Sequence, residues 1–273
     1  MQFLKSFSHV SSCIVLASLF LSCIGPNILS AADRERWSFS FLDGKYDLDH
    51  FELYGNLAGI KPTEDGLRMR LPPSKKKDWG GIDVRCRLEG DFKIIGKYTI
   101  TELGSPEGGT GAGLSIGIKD TDLEWATVQH VKQRNAGEVI VAHRGFRKPD
   151  GISYESKSKS EKSSVRQGIV EIERKGKRLN LAASNSNSAE PVLIESYDYT
   201  DKPVDYLHVG IKQGGAPTLV DLNFTEISLE ADNLSFDFEP ENDWSIWIWT
   251  GVISVFVTLC LVLVIYKTRQ ANS

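Results

Sequence analysis

Retaining hydrolysis of a glycosidic bond uses two carboxylates about 5 Å apart, one to attack and one to protonate the leaving oxygen. Two stretches of this chain approach that demand: Glu171-Ile172-Glu173, whose acids would share one face of a strand, and Asp122-Leu123-Glu124. The first pair alternates with Val170 and Ile172, the pattern of a strand with one wet and one buried face. Glu171 and Glu173 therefore read as solvated strand positions, and no catalytic residue is assigned. Asp120-Thr121-Asp122 offers oxygen ligands for calcium, but a short acidic turn has the same composition, and no cofactor or metal residue is assigned either. His143-Arg144 closes an apolar run and would make a polar pair in a groove, whereas a lone histidine at a strand end, like His130, is usually structural. Cys86 alternates with Ile82 and Val84, as a small buried apolar side chain would. No serine or cysteine nucleophile signature and no cysteine–histidine cluster at zinc spacing occurs.

The most suggestive composition lies between Pro72 and Gly81: two prolines, Lys75-Lys76-Lys77, Trp79 and two glycines. A tryptophan exposed on a loop can stack on the apolar face of a sugar, with lysines reaching polar or anionic sugar groups. The plainer reading folds Trp79 onto the domain edge and leaves the lysines solvated. Trp79, Lys75, Lys76 and Lys77 are thus the candidate ligand-binding residues.

Strands must position these groups. Phe92, Ile94, Gly96, Tyr98 and Ile100 alternate with Lys93, Lys97, Thr99 and Thr101, and a glycine-rich turn from Gly104 to Gly111 leads into a second strand over Ala112 to Lys119. These two are expected to form a central hairpin. Trp37, Phe39 and Phe41 share the face of an early strand; Leu67, Met69 and Leu71 and then Ile82, Val84 and Cys86 mark two more. Further hairpins are expected over Trp125–Val131 with Glu138–His143, and over Gly168–Arg174 with Arg178–Ala182. The serine- and lysine-rich stretch from Gly145 to Val165 reads as a long solvated loop. In the last strand Val220, Leu222 and Phe224 have opposite parity to Ile227 and Leu229, which predicts a bulge near Thr225. About a dozen strands, no helix outside the ends and no repeat define an all-β double sheet.

The ends have other roles. Residues 1–32 read as a signal peptide, with Lys5, an apolar run from Cys13 to Ile24, and Ser30-Ala31-Ala32 before the cleavage point. The rival is a lipoprotein site with Cys23 acylated, for which Phe20 is a poor fit. Trp244 to Tyr266 contains no charge over 23 residues, about 35 Å as a helix and enough to cross a bilayer. Acids at 237–243 precede it, and Lys267 and Arg269 follow, so residues 267–273 are expected in the cytoplasm and the body outside, in periplasm or extracellular space. Residues 33–231 would form the external domain and 232–243 an acidic tether. Between Asp33 and Asp243 lie 29 basic and 36 acidic side chains, a net of −7 that suits neither nucleic acid nor acidic polymers. Cys86 is the one cysteine there, so no internal disulfide is expected.

The early Trp37-x-Phe39-x-Phe41, Gly90-Asp91-Phe92 opening a long strand, the glycine-rich turn, and the late Val220-Asp221-Leu222-x-Phe224 together resemble a concanavalin A-like jelly roll. More narrowly, Arg36 to Glu230 is similar to exported domains of this type from planctomycete bacteria, relatives of laminin-G and glucanase-like modules. The resemblance implies a jelly-roll sandwich and a bias towards carbohydrate. Its glucanase branch works through Glu-x-Asp-x-x-Glu, which neither acidic stretch here completes. Three functions follow: a membrane-anchored, external, non-catalytic module binding glycan or an envelope partner; an enzyme on sugar whose acids come from distant strands; or a structural partner in a membrane complex.

The topology is checked by adding protease to intact cells, which should leave a small embedded fragment holding Trp244 to Ser273. A tag placed after Ser273 should stay inaccessible from outside; labelling it there would reverse the orientation.

Overall fold

The computed structural model describes residues 34–73, 78–120, 124–148, 154–184, 190–215 and 217–236. The expected signal peptide, membrane segment and cytoplasmic tail, and Lys75, Lys76 and Lys77, lie outside the described residues. Among the described residues no helix is long and apolar enough to cross a membrane.

Fifteen strands carry the fold: β1 (Glu35–Ser40), β2 (Phe51–Gly55), β3 (Ile60–Thr63), β4 (Gly66–Leu71), β5 (Trp79–Val84), β6 (Arg87–Leu103), β7 (Ala112–Asp120), β8 (Trp125–Gln133), β9 (Gly137–Arg147), β10 (Tyr154–Lys162), β11 (Gln167–Lys175), β12 (Arg178–Ala183), β13 (Val192–Asp198), β14 (Val204–Lys212) and β15 (Val220–Ser235). Their antiparallel pairings resolve into two layers. The back layer runs β15–β6–β11–β12–β13, with β1 and then β4 and β3 along the free side of β15. The front layer runs β2–β5–β14–β7–β8–β9–β10. One residue pair, Val204 with Leu88, stitches the layers into a continuous ladder.

The core lies between them and follows from alternation. Phe92, Ile94, Tyr98 and Ile100 of β6 meet Leu114, Ile116 and Ile118 of β7 and Leu207, Val209 and Ile211 of β14, all buried. Gly96 breaks the row for a steric reason: a Cβ there would lie 2.6 Å from the Ile116 Cδ1 and 3.1 Å from the Phe224 ring. The missing side chain lets the opposite layer interdigitate. At one end Phe41, Phe51 and Phe224 close the sandwich, with Trp37 and Phe39 packed against them.

Four expectations change. β6 and β7 are not a hairpin, because both edges of β6 are taken by β15 and β11; the glycine-rich turn instead crosses from the back layer to the front. Gly109 at φ 83° and Gly111 at φ 108° make that crossing, where a Cβ on Gly109 would strike the Gly214 carbonyl. The stretch read as a loop contains β10, an edge strand whose lysines and serines discourage further pairing. Trp79 begins β5 rather than sitting in a loop. The last strand also continues to Ser235, four residues into the segment read as a tether, and Phe236 packs on Trp37 at 5.0 Å. The expected bulge near Thr225 is present as a register shift between Phe224 and Glu226.

A buried cation holds the layers in register. Arg174, 1% exposed, donates from Nε to the Gly90 carbonyl at 2.8 Å and from Nη1 to the carbonyls of Thr200 (3.3 Å) and Lys202 (2.5 Å). Its guanidinium also lies 4.6 Å from the Phe92 ring centre. Replacing it by methionine keeps the volume but leaves three carbonyl groups without their donor. Arg174→Met should therefore cost roughly 3–5 kcal/mol and lower Tm by about 10 °C or more, measured by thermal melting. An unchanged Tm would show that this node is dispensable.

Candidate functional site

Side chains of the front layer that do not enter the core point to its outer face. In register across neighbouring strands, one row reads Asp83, His208, Gly117, Thr127, His143, Ser158. The next reads Tyr54, Gly81, Gly210, Ser115, Gln129, with Trp79 and Lys212 beyond it, and Trp125 and Gly145 at the opposite end. Strands about 4.8 Å apart make each row a ruler of polar groups. The face is recessed: Ser115, Thr127 and Gln129 point away from the core yet are only 8%, 6% and 6% exposed. Gln129 Nε2 donates to Thr127 Oγ1 at 2.9 Å.

Rings rest on glycines here. A Cβ on Gly145 would lie 2.3 Å from Trp125 Cε2, one on Gly117 would lie 2.4 Å from His208 Cε1, and one on Gly210 would lie 2.1 Å from the Tyr54 hydroxyl. Each of these largely buried rings is thus seated against the neighbouring backbone, and His143 meets Trp125 edge-on at 4.5 Å. A glycine inside a strand marks such a close approach. Sequence reasoning missed Trp125, Tyr54 and His208; the signal that could have found them was Gly117, Gly145 and Gly210 at outward parity in otherwise β-branched strands.

The electrostatics are those of a partly dehydrated surface. Burial pushes the Asp83 carboxyl up to about 6, opposed by a hydrogen bond from Tyr206 and reinforced by the Glu52 charge. Burial, with Lys212 adding its charge, takes His208 down to about 4, and the same two causes lower His143. Burial lowers the Lys212 ammonium too, which makes no ion pair among the described residues. Asp83 Oδ1 and His208 Nδ1 are buried without a hydrogen-bond partner. Such a surface offers donors, acceptors and ring faces to a polar, ring-shaped ligand. Along the paired rows β7, β8 and β14 carry no carboxylate at an outward position; Glu52 and Asp83, opposite each other on β2 and β5, are the acids at its rim.

Of the residues singled out in the sequence, Trp79 lies on this face beside Lys212 and is 58% exposed. His143 lies on it as well, but Arg144 points between the layers against the Tyr197 ring at 4.1 Å, so the two are not a pair. His130 is core: its Nδ1 shares a 2.8 Å hydrogen bond with the Tyr98 hydroxyl, and burial takes it down to about 4. Glu171 and Glu173 occupy the outer face of the back layer, paired with Lys93 and Lys175 at 2.9 Å each. Cys86 is buried and free, with its thiol pushed up to about 12. Asp120 closes a turn, its Oδ1 accepting from the Glu124 amide at 2.9 Å; Thr121 and Asp122 lie outside the described residues. No group of three metal-ligating side chains occurs among the described residues.

This two-layer architecture is that of a concanavalin A-like jelly roll. It is similar to LamAcat from Zobellia galactanivorans, at 10% identity and TM-score 0.51 over 72% of this chain and 98% of that one. A structure solved in work on endo-acting O-glycanases, which members of the human gut microbiota express to initiate mucin breakdown, matches at 11% identity and TM-score 0.54 over 71% and 97%. The exoplasmic/lumenal domain of VIP36, bound to Ca2+ and Man3GlcNAc, matches at 11% and 0.50 over 76% and 92%. No curated protein sequence matches. The chain belongs to the family described as protein of unknown function (DUF1583) C domain, whose model matches residues 30–245.

The two buried histidines set an acid dependence. Each has a folded pKa of about 4 against 6.5 in a free chain, so the unfolded state takes up protons that the folded state refuses. Their contribution is complete above pH 6.5 and lost as pH falls towards 4. Asp83, raised from 3.8 to about 6, acts oppositely in this window but is one group against two. Stability should fall by roughly 3 kcal/mol between pH 7 and 4, and His130→Gln should flatten the Tm profile. A wild-type profile that is flat over this range would contradict the neutral, buried histidines.

Proposed function

We propose that this chain is a membrane-anchored, externally facing, non-catalytic module that binds glycan across the recessed face of its front layer. The observation that carries the reading is the set of rings seated on glycines, Trp125 on Gly145 and Tyr54 on Gly210, among recessed hydroxyl and amide groups. Partly exposed rings give CH–π and apolar surface for a sugar, and the polar rows give hydrogen bonds that orient it. A polar trough also suits glycan better than an apolar protein partner, which would want a contiguous hydrophobic patch. Similar solved structures whose names concern glycan-bound or glycan-cleaving proteins support the same class. The uncharged run at 244–266 and the leader-like first 32 residues support an anchored, exported domain.

A second reading rests on Glu52 and Asp83. They are cross-strand neighbours on one face, a placement that sets their Cβ atoms about 5 Å apart and the two carboxyl groups within reach of one bound sugar. The enzyme would then draw its acids from separate strands. Its weakness is position, because the pair sits on the β2 side of the trough and not at its centre.

Binding of the full-length chain, held in mild detergent, to a glycan array tests both. Trp125→Ala and Trp79→Ala should each weaken binding roughly five- to tenfold, about 1 kcal/mol per stacked ring. Trp79→Ala should leave Tm nearly unchanged, and Asp83→Asn with Glu52→Gln should bind as wild type. Release of reducing sugar by the wild type that disappears in the Asp83→Asn variant would replace the first reading with the second.

A further inference from the structure

On the other layer, β3, β4 and the turn before them line a cavity of ≈ 300 Å³ with Asn56, Ala58, Gly59, Lys61, Arg68, Arg70 and Pro72, and the Asn56 amide donates to the Trp79 carbonyl at 2.9 Å. Lys61 and Arg68 stand directly opposite each other in the β3–β4 register, so two cations project from one face side by side. Like charges placed opposite are unfavourable in a sheet unless something negative lies between or beyond them. Part of the answer is Asp221 on β15, whose side chain is 7% exposed. It accepts from Arg68 Nε at 3.0 Å and Nη2 at 2.6 Å, with Arg70 Nε at 3.3 Å. With Asp78, which accepts from Asn56 Nδ2, two carboxylates stand against three cations, and the cavity keeps a net positive charge. Lys61 is exposed and makes no ion pair among the described residues.

The geometry does more than concentrate charge. Asp221 engages one edge of the Arg68 guanidinium through two nitrogens and pairs with Arg70 through Nε, while the side chains of Arg68 and Arg70 remain 47% and 51% exposed. A guanidinium held in this way keeps further N–H donors for a second, planar or tetrahedral oxyanion. Gly59 lets the turn lie directly on β4, where a Cβ would meet the Arg70 carbonyl oxygen at 2.2 Å. The volume is at the small end of ligand pockets, and suits one sugar ring better than a bare ion. The stretch from 33 to 243 carries −7, so a net positive cavity stands against its background.

We propose that the Lys61–Arg68–Arg70 cavity binds the oxyanion of an acidic sugar, a sulfate ester or a uronate carboxylate, with Asp221 as the positioning residue. Its cations stand on β3 and β4, whereas the Trp125 ring stands on β8, so substitutions at Lys61 and at Trp125 probe the two sites separately.

The test uses the full-length chain in mild detergent at about 150 mM salt, where diffuse attraction is screened beyond ~8 Å. Dextran sulfate and polygalacturonate are the two probes and neutral dextran the control. Binding of either acidic polymer, weakened roughly tenfold by Lys61→Glu, supports the cavity, and whichever polymer binds tells sulfate from carboxylate. Lys159→Glu, an exposed lysine on the β10 edge, should change binding less than twofold. The proposal is overturned if neither acidic polymer binds, or if Lys61→Glu weakens binding no more than Lys159→Glu. Loss of binding in Trp125→Ala would move the acidic ligand to the recessed face and likewise overturn it.

Discussion

The fold hangs on a guanidinium with no counter-ion within hydrogen-bond reach among the described residues. Arg174 leaves the hairpin of β11 and β12, passes beneath Phe92, and ends on carbonyls of Gly90, Thr200 and Lys202. Those carbonyls belong to the two places where the chain does something awkward. Gly90, at φ 68°, lies where β6 bends and its register with β15 slips between Ala231 and Asn233. Thr200 and Lys202 lie on the connection that takes the chain from β13 in the back layer to β14 in the front. A buried cation is costly unless its donors are satisfied, and here they are satisfied by backbone that no ladder pairs. Asp91 completes the node by accepting from the Gly176 amide at 2.5 Å and donating its own amide to Asp232 at 2.7 Å. The Gly90-Asp91-Phe92 triplet is therefore a mechanical joint: a left-handed glycine, an acid that ties two turns, and a ring under the arginine.

With the layers fixed, the front face can be cut away. Strands normally fill both faces with side chains, and glycine within a strand costs stability because it adds entropy and removes packing. β7 and β14 nonetheless carry Gly113, Gly117 and Gly210 at outward positions. The loss is offset by rings lying in the gaps, His208 over Gly117 and Tyr54 over Gly210, which lowers the surface into a trough without opening the core. The result buries polar atoms that the protein leaves unpartnered, Asp83 Oδ1 and His208 Nδ1 among them. Unpaired polar atoms weaken a fold, and they cluster where a ligand is expected to pair them.

Most of the architecture was legible because burial on one face imposes a period of two. The inward rows of β6, β7, β8, β11, β14 and β15 were all written in that alternation, and so was the bulge near Thr225, since parity cannot invert without an extra residue. Pairing was not legible. β6 and β7 look like a hairpin because they are adjacent and share a glycine-rich link, yet which layer a strand joins is decided by distant partners, β15 and β14. β10 was invisible for a different reason: it is an edge strand built of serine, lysine and glutamate, held by backbone bonds to β9 and leaving no apolar period. Trp79 drew attention through its neighbours' composition, whereas Trp125 sat in a plain strand. What distinguishes Trp125 is the absence of a side chain at Gly145, two strands' worth of sequence away.

The distribution of acids decides how the trough should be understood. Oxocarbenium-like chemistry needs one carboxyl protonated and one ionised on either side of the same bond, both at the centre of the cleft where the sugar is gripped. At the centre here stand Ser115, Thr127, Gln129, His208 and Lys212, groups that hydrogen-bond hydroxyls but neither attack nor protonate a glycosidic bond at an anomeric carbon. Asp83 has an environment that favours its protonated form, with burial and Glu52 acting together, and for that reason it is the group most like a general acid. Its partner, however, is held towards Arg85, with Glu52 Oε2 accepting from Arg85 Nη2 at 3.3 Å, on a surface 61% exposed. A nucleophile left in bulk water loses the dehydrated, preorganised setting that makes such a carboxylate effective. The trough therefore combines a centre of hydrogen-bonding groups with an acid at one rim, and the proposed binding reading rests on that division.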